Sequence, residues 1–201
     1  NQIQSVAMQA FSEEYAFVLD DMVYRGLGTG QPLGFLNSAV KVEVSKETGQ
    51  AADTVVKENI DKMYGRFWGG PGAVWLYNRE LWPQFGAMSM AVGTGGVPVF
   101  LPPTGISGAP YATLYGLPML PMEQASAPGD VGDITLCDPS QYLTIDKGGM
   151  ETASSMHVAF LTGEQCFRFT YRCNGQPTWN AAKTPYKGSL TLSPFVTLAA
   201  R

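Results

Sequence analysis

The stretch "GLGTGQPLGFL", residues 26–36, places four glycines and a proline in eleven positions without a single charge. It follows directly on a helix-like run, so the chain must change direction there. Such a loop either cradles a phosphate or shapes backbone where a Cβ does not fit. A P-loop needs Lys and Ser/Thr after its last glycine, yet Phe35 and Leu36 follow Gly34. A dinucleotide fingerprint spaces its glycines G-x-G-x-x-G between a strand and a helix. Here the spacing is G-x-G-x-G-x-x-x-G, and the segment follows a helix. Gly26, Gly28, Gly30, Pro32 and Gly34 therefore read as a structural turn. Gly26 is expected to cap the helix in a left-handed conformation. Gly28 and Gly30 permit turns closed to other residues, Pro32 stiffens the exit, and Leu33, Phe35 and Leu36 anchor it in a core.

The helix before this turn is predicted over about residues 5–25. Phe11, Tyr15, Val18, Leu19, Met22 and Val23 form one apolar stripe, with Glu13, Glu14, Asp20 and Asp21 solvated on other faces. A short strand is expected over Val40–Val44. A second helix follows, with Asp53 or Thr54 as N-cap and Val56, Ile60, Met63, Tyr64 and Phe67 on its buried side. "AVWLYN" (73–78) reads as a buried strand, and Asn78 caps a helix over "RELWPQFGAMSM" with Pro83 in its first turn or kinking it. Residues 92–122 are rich in Gly and Pro, with short strands at Pro98–Leu101 and Leu117–Pro121. Strands dominate the remainder: 133–138, 141–146, 166–172 and the closing "SLTLSPFVTLAA", bent at Pro194. In "CFRFTYR", Phe167, Phe169 and Tyr171 face one way, and Arg168, Thr170 and Arg172 the other.

Chemistry is hard to place on this frame. There is no G-x-S-x-G elbow, and the single histidine, His157, reads as structural or surface-exposed. Asp130 and Asp133 lack the further oxygen ligands of a calcium loop and read as turn acids. Cys137, Cys166 and Cys173 form an odd set that argues for a reducing compartment and buried thiols. Cys166 and Cys173 fall on opposite faces of one strand-like run, which speaks against a metal site. The net charge of −4 with no Lys/Arg run gives no footprint of sequence-specific nucleic-acid binding. No apolar stretch reaches membrane-span length. In so acidic a chain, Arg168 and Arg172 are expected to form ion pairs within or between subunits. The residues by themselves describe an α+β protein with large shaped loops and no catalytic, cofactor or metal site.

The order of motifs resembles the HK97-fold major capsid proteins of tailed bacteriophages. The helix followed by "GLGTGQPLGFL" is similar to that family's helix-end signature, differing at Leu27, where an acidic residue is common. "AVWLYNRELWPQF", "LYGLPMLPME", "GDVGDITLCDPSQYLTID", "FRFTYRCNGQP" and "GSLTLSPFVTLAAR" follow in the family's order across nearly the whole chain. Neither the N-terminal arm nor the extended E-loop hairpin usual before the long helix is visible, so the chain reads as a truncated or processed product. Lysine–asparagine cross-linking is not supported: the E-loop lysine is missing and no Asn occurs between Glu151 and Tyr171.

The resemblance implies an HK97-like α+β subunit with a peripheral and an axial domain. The peripheral domain would take 1–39 and the strands of 133–187. The axial domain would take 40–132 and, with it, the last strand, 188–201. The function implied is self-assembly, as hexamers and pentamers, into the icosahedral head of a phage or prophage around double-stranded DNA. Scaffold, portal and maturation protease are implied partners, and the protein would assemble in the bacterial host cytoplasm and reside in the virion capsid. The loop around Gly93–Pro110, including Gly95 and Pro102, would point at a five- or sixfold axis. With Arg168 and Arg172 it is expected to touch neighbouring subunits. The alternatives are an encapsulin-like nanocompartment shell of the same fold, or a small soluble phosphate-binding enzyme.

Overall fold

The computed structural model describes residues 2–92, 95–98, 100–101 and 112–201. Pro102 and most of the expected axis loop lie outside the described residues. Helix α1 spans Gln2–Arg25, and a single 3-10 turn at Phe35–Asn37 leads from the glycine segment into strand β1, Val42–Val44. Then come helix α2 (Lys57–Gly65), β2 (Val74–Tyr77), a 3-10 turn at Arg79–Leu81, and α3 (Trp82–Ala87). Strands β3 (Ser89–Val92), β4 (Gly95–Pro98), β5 (Phe100–Leu101), β6 (Thr113–Leu114) and β7 (Leu117–Pro121) follow. The chain continues through β8 (Ile134–Cys137), β9 (Tyr142–Asp146), β10 (Glu151–Ser155), β11 (Cys166–Thr170), β12 (Cys173–Pro177) and β13 (Phe195–Leu198).

One mixed sheet organises the molecule, in the order β1-β13-β8-β2-β7-β6-β5, with β1 parallel to β13 and β2 parallel to β7. Side-chain alternation gives each of its central strands two buried faces. Trp75 and Tyr77 of β2, Ile134 and Leu136 of β8, and Val196 and Leu198 of β13 join Ile60 and Met63 of α2 and Phe85 of α3. On the opposite face Val74, Leu76, Cys137 and Phe195 meet Tyr24, Phe35, Leu36 and Val40. Near-continuous apolar strands are what a sheet covered on both sides requires. Among the described residues three two-stranded ribbons accompany it: β3–β4, β9–β12 and β10–β11.

Several local expectations are corrected. The N-cap of α2 is Val56, whose amide donates to the side chain of Asn59 at 3.2 Å. Asp53 sits at φ 57 instead, and the Thr54 hydroxyl turns back to the carbonyl of Ala51. Asn78 does cap its turn, accepting from the Glu80 amide, but α3 stops at Ala87 because Ser89–Val92 pairs with β4. The run 166–172 is not one strand. It leaves β10 at Thr170 and resumes at Cys173 against β9, so the two cysteines lie in different ribbons. Ile134–Cys137 is bonded between β13 and β2 in the large sheet.

Helix α1 also differs from a simple one-stripe helix. Phe11 stacks on Phe169 with centroids 4.2 Å apart, and Tyr15 meets Tyr171 edge-on at 4.9 Å. Its most buried residue, Tyr24, is outside the predicted stripe. Val6, Phe17 and Tyr24 define a second apolar line, at separations of 11 and 7 residues that return to nearly the same helical angle. The two lines leave α1 with little net amphipathicity, and Val6 and Phe17 remain exposed.

Candidate functional site

The glycine segment folds into a tight doubled-back loop at the end of α1. The Gly26 amide continues the helix by donating to Met22 at 2.9 Å. Leu27 and Leu33 then bridge antiparallel, and the Gly34 amide returns to the Gly26 carbonyl at 2.9 Å. Gly28 and Gly30 take φ of +77° and +71°, as the sequence leads one to expect. Gly26 does not have a left-handed φ. It is glycine because a Cβ there would lie 2.2 Å from the Pro32 carbonyl oxygen and 2.4 Å from that of Met22. Gly34 is equally confined, its Cβ position being 2.4 Å from the Gly26 nitrogen. Pro32, Phe35 and Leu36 are buried while Leu33 is half-buried.

Two contacts dock this loop on the β9–β12 ribbon. The Leu33 amide donates to the Gly175 carbonyl at 2.8 Å, and the Tyr142 hydroxyl donates to the Leu33 carbonyl at 3.1 Å. Burial pushes the Tyr142 phenol up to about 12, so it remains a donor. Phe35 stacks on Phe195 at 4.9 Å, tying the same loop to the large sheet. The loop thus joins three bodies: α1, the ribbon and the sheet.

A buried polar network behind the loop escaped the sequence reading. The Tyr24 hydroxyl donates to the Gly132 carbonyl at 2.6 Å and lies 3.0 Å from Thr135 Oγ1. Thr135 and Thr197 face the same side of adjacent strands, and the Thr197 hydroxyl accepts from the Gly132 amide at 3.1 Å. Desolvation raises the Tyr24 phenol far above its ordinary value, overriding the Thr135 bond.

Asp133 closes the turn that starts at Asp130, but its carboxylate is buried and paired. It and Arg201 form an ion pair whose side chains are both wholly buried. The amides of Gly129 (3.0 Å) and Ile134 (2.7 Å) also donate to that carboxylate. Arg201 further reaches the Thr54 carbonyl, closing the loop 126–133 against the end of the large sheet. The only sequence signal was an acid standing directly before an apolar strand. Asp138, also buried, accepts from the Gly70 amide at 2.6 Å and from the Ser140 amide and hydroxyl. Desolvation alone would raise its carboxyl, but these donors outweigh it and hold the group below the ordinary carboxylate range.

The outer surface carries the remaining features. Arg168 and Arg172 are exposed and form no ion pair among the described residues. Gly95 opens β4. The turn joining β10 to β11 is apolar and bare: Val158 is 78% exposed, Phe160 73% and Leu161 100%. His157 is exposed in the same turn. Trp68, Tyr186 and Leu190 add a second exposed apolar group. Among the described residues no cluster of His, Cys, Asp or Glu could hold a metal ion, and no helix is long and apolar enough to cross a membrane.

Comparison with known proteins gives this surface a context. The profile of the phage capsid family matches residues 1–188. No curated protein sequence matches the chain. Among solved structures it is similar to the capsid of an empty GTA (gene transfer agent) particle computed with C5 symmetry. That match has a TM-score of 0.68 and 18% identity, covering 98% of this chain and 67% of the other. The capsid of the native GTA particle matches with a TM-score of 0.65 and 17% identity, over 98% and 66%. The chain therefore spans about two thirds of the length of these capsid chains, and it shares their HK97-like fold.

Proposed function

The chain belongs to the phage capsid family and is a shell-forming capsid protein; on that premise we propose that its copies tile an icosahedral head around double-stranded DNA. Hexamers and pentamers form the lattice, and scaffold, portal and maturation protease are the partners during assembly in the bacterial host cytoplasm. The subunit has two parts. A peripheral part holds α1 with the β9–β12 and β10–β11 ribbons, and an axial part holds the seven-stranded sheet with α2 and α3. The glycine loop is the joint between them.

The observation that carries this reading is the apolar turn of β10–β11. Four large side chains, Met156, Val158, Phe160 and Leu161, stand exposed within six residues. A soluble monomer gains nothing from such a group, whereas a subunit buries it against a neighbour. Arg168, on the ribbon that bears this turn, and Arg172, in the link from that ribbon to β12, are the proposed polar rim of the same contact. The buried acids Asp133 and Asp138 are occupied by structural partners, which supports a wall component rather than a catalyst. The test is Phe160→Ser with Leu161→Ser in the complete gene product. Loss of particles with unchanged melting of the subunit supports the reading, and normal particle yield contradicts it.

A further inference from the structure

Of the six asparagines in the chain only Asn174 is followed by glycine, and that pair lies beneath the joint. The bonds Lys147 N to Arg172 O and Thr178 N to Gln141 O, both 2.9 Å, set the alternation of the β9–β12 ladder. In that alternation Asn174 and Gln176 are the bonded positions, and Gly175, opposite Thr144, points its amide and carbonyl away from β9. The carbonyl receives the Leu33 amide. The amide is 2.8 Å from the side-chain oxygen of Asn174 itself. The carbon bearing that oxygen is therefore in contact with a backbone nitrogen that the ladder does not use. Asn174 is exposed to water, and Gly175 has no Cβ to obstruct approach.

We propose that Asn174–Gly175 is a self-modifying site, at which the Gly175 nitrogen closes on the Asn174 side chain and converts it to aspartate and isoaspartate. The Gly175 nitrogen gives its proton to solvent base and forms a bond to Asn174 Cγ. The side-chain nitrogen leaves as ammonia, taking up a proton from water. Water then opens the resulting succinimide at either carbonyl. Opening on the main-chain side leaves isoaspartate, which adds one methylene to the backbone of β12 immediately before Gly175. That insertion moves the Gly175 carbonyl off the Leu33 amide and loosens the docking of the glycine loop. The modification adds one negative charge at an exposed side chain.

The test holds the folded protein at mildly alkaline pH and follows it by peptide mass spectrometry and isoaspartyl methyltransferase labelling. Asn174 is expected to convert before the other five asparagines, with isoaspartate present and a falling melting temperature. Asn174→Gln is expected to melt like the parent at the start and to show neither change. If Asn174 keeps its amide in the folded protein while the urea-unfolded chain converts at that position, the fold protects the site and the proposal is wrong. This outcome is independent of shell formation.

Discussion

Gly26 and Gly34 lie backbone to backbone: the Gly34 amide donates to the Gly26 carbonyl at 2.9 Å, and a Cβ on Gly34 would come within 2.4 Å of the Gly26 nitrogen. The joint is therefore closed by the absence of side chains rather than by any group that binds. Gly26→Ala and Gly34→Ala should each cost on the order of 3 kcal/mol, since backbone must move to admit the methyl. Gly30→Ala meets no atom within 4 Å and bears only its left-handed φ, so it should cost about 1 kcal/mol. Urea unfolding of the three variants checks the order.

Asp133 and Arg201 make a second prediction. Removing one partner of a wholly buried pair leaves an uncompensated charge. Asp133→Ala should therefore destabilise by about 3–5 kcal/mol. The double change with Arg201→Met should cost clearly less than the sum of the single changes. A double-mutant cycle in denaturant measures the difference.

Asp138 predicts a pH dependence. Its carboxyl titrates below the ordinary value in the folded chain, near 3.9 when unfolded. Its contribution is therefore complete above that value and is lost as pH falls through the lower folded-state value. Asp138→Asn should lower stability at neutral pH by about 2 kcal/mol. It should also flatten the acid limb of the melting-temperature profile relative to the parent.

The three thiols should differ in reactivity. Cys137 lies in the large sheet beside its cross-strand partner Phe195, and burial pushes its thiol up to about 12, whereas Cys166 and Cys173 are only half-buried. Iodoacetamide at neutral pH should leave Cys137 untouched in the folded protein and label it after unfolding, as peptide mass spectrometry will register.

The parts of the molecule that were legible in the sequence are those governed by local chemistry. The apolar run "AVWLYN" read as a buried strand, and Trp75 and Tyr77 are in the core; alternation in "CFRFTYR" put Phe169 and Tyr171 on one face, which the structure turns towards α1. Gly28 and Gly30 were readable because a positive φ is a property of one residue. Gly26 was misread because its constraint comes from Pro32, six residues away. The Asp133–Arg201 pair spans 68 positions, and nothing local announces a buried charge whose partner lies at the far end of the chain. Strand β12 was hidden for a related reason. "CNGQP" has no strand alternation of its own and is extended because β9 and the glycine loop bond it from either side.

Self-assembly is the property on which the account stands, and imaging measures it most directly. The complete gene product, purified from bacteria and viewed by negative stain alongside light scattering, should yield closed shells or rings of subunits. A product that stays strictly monomeric at high concentration would contradict the account.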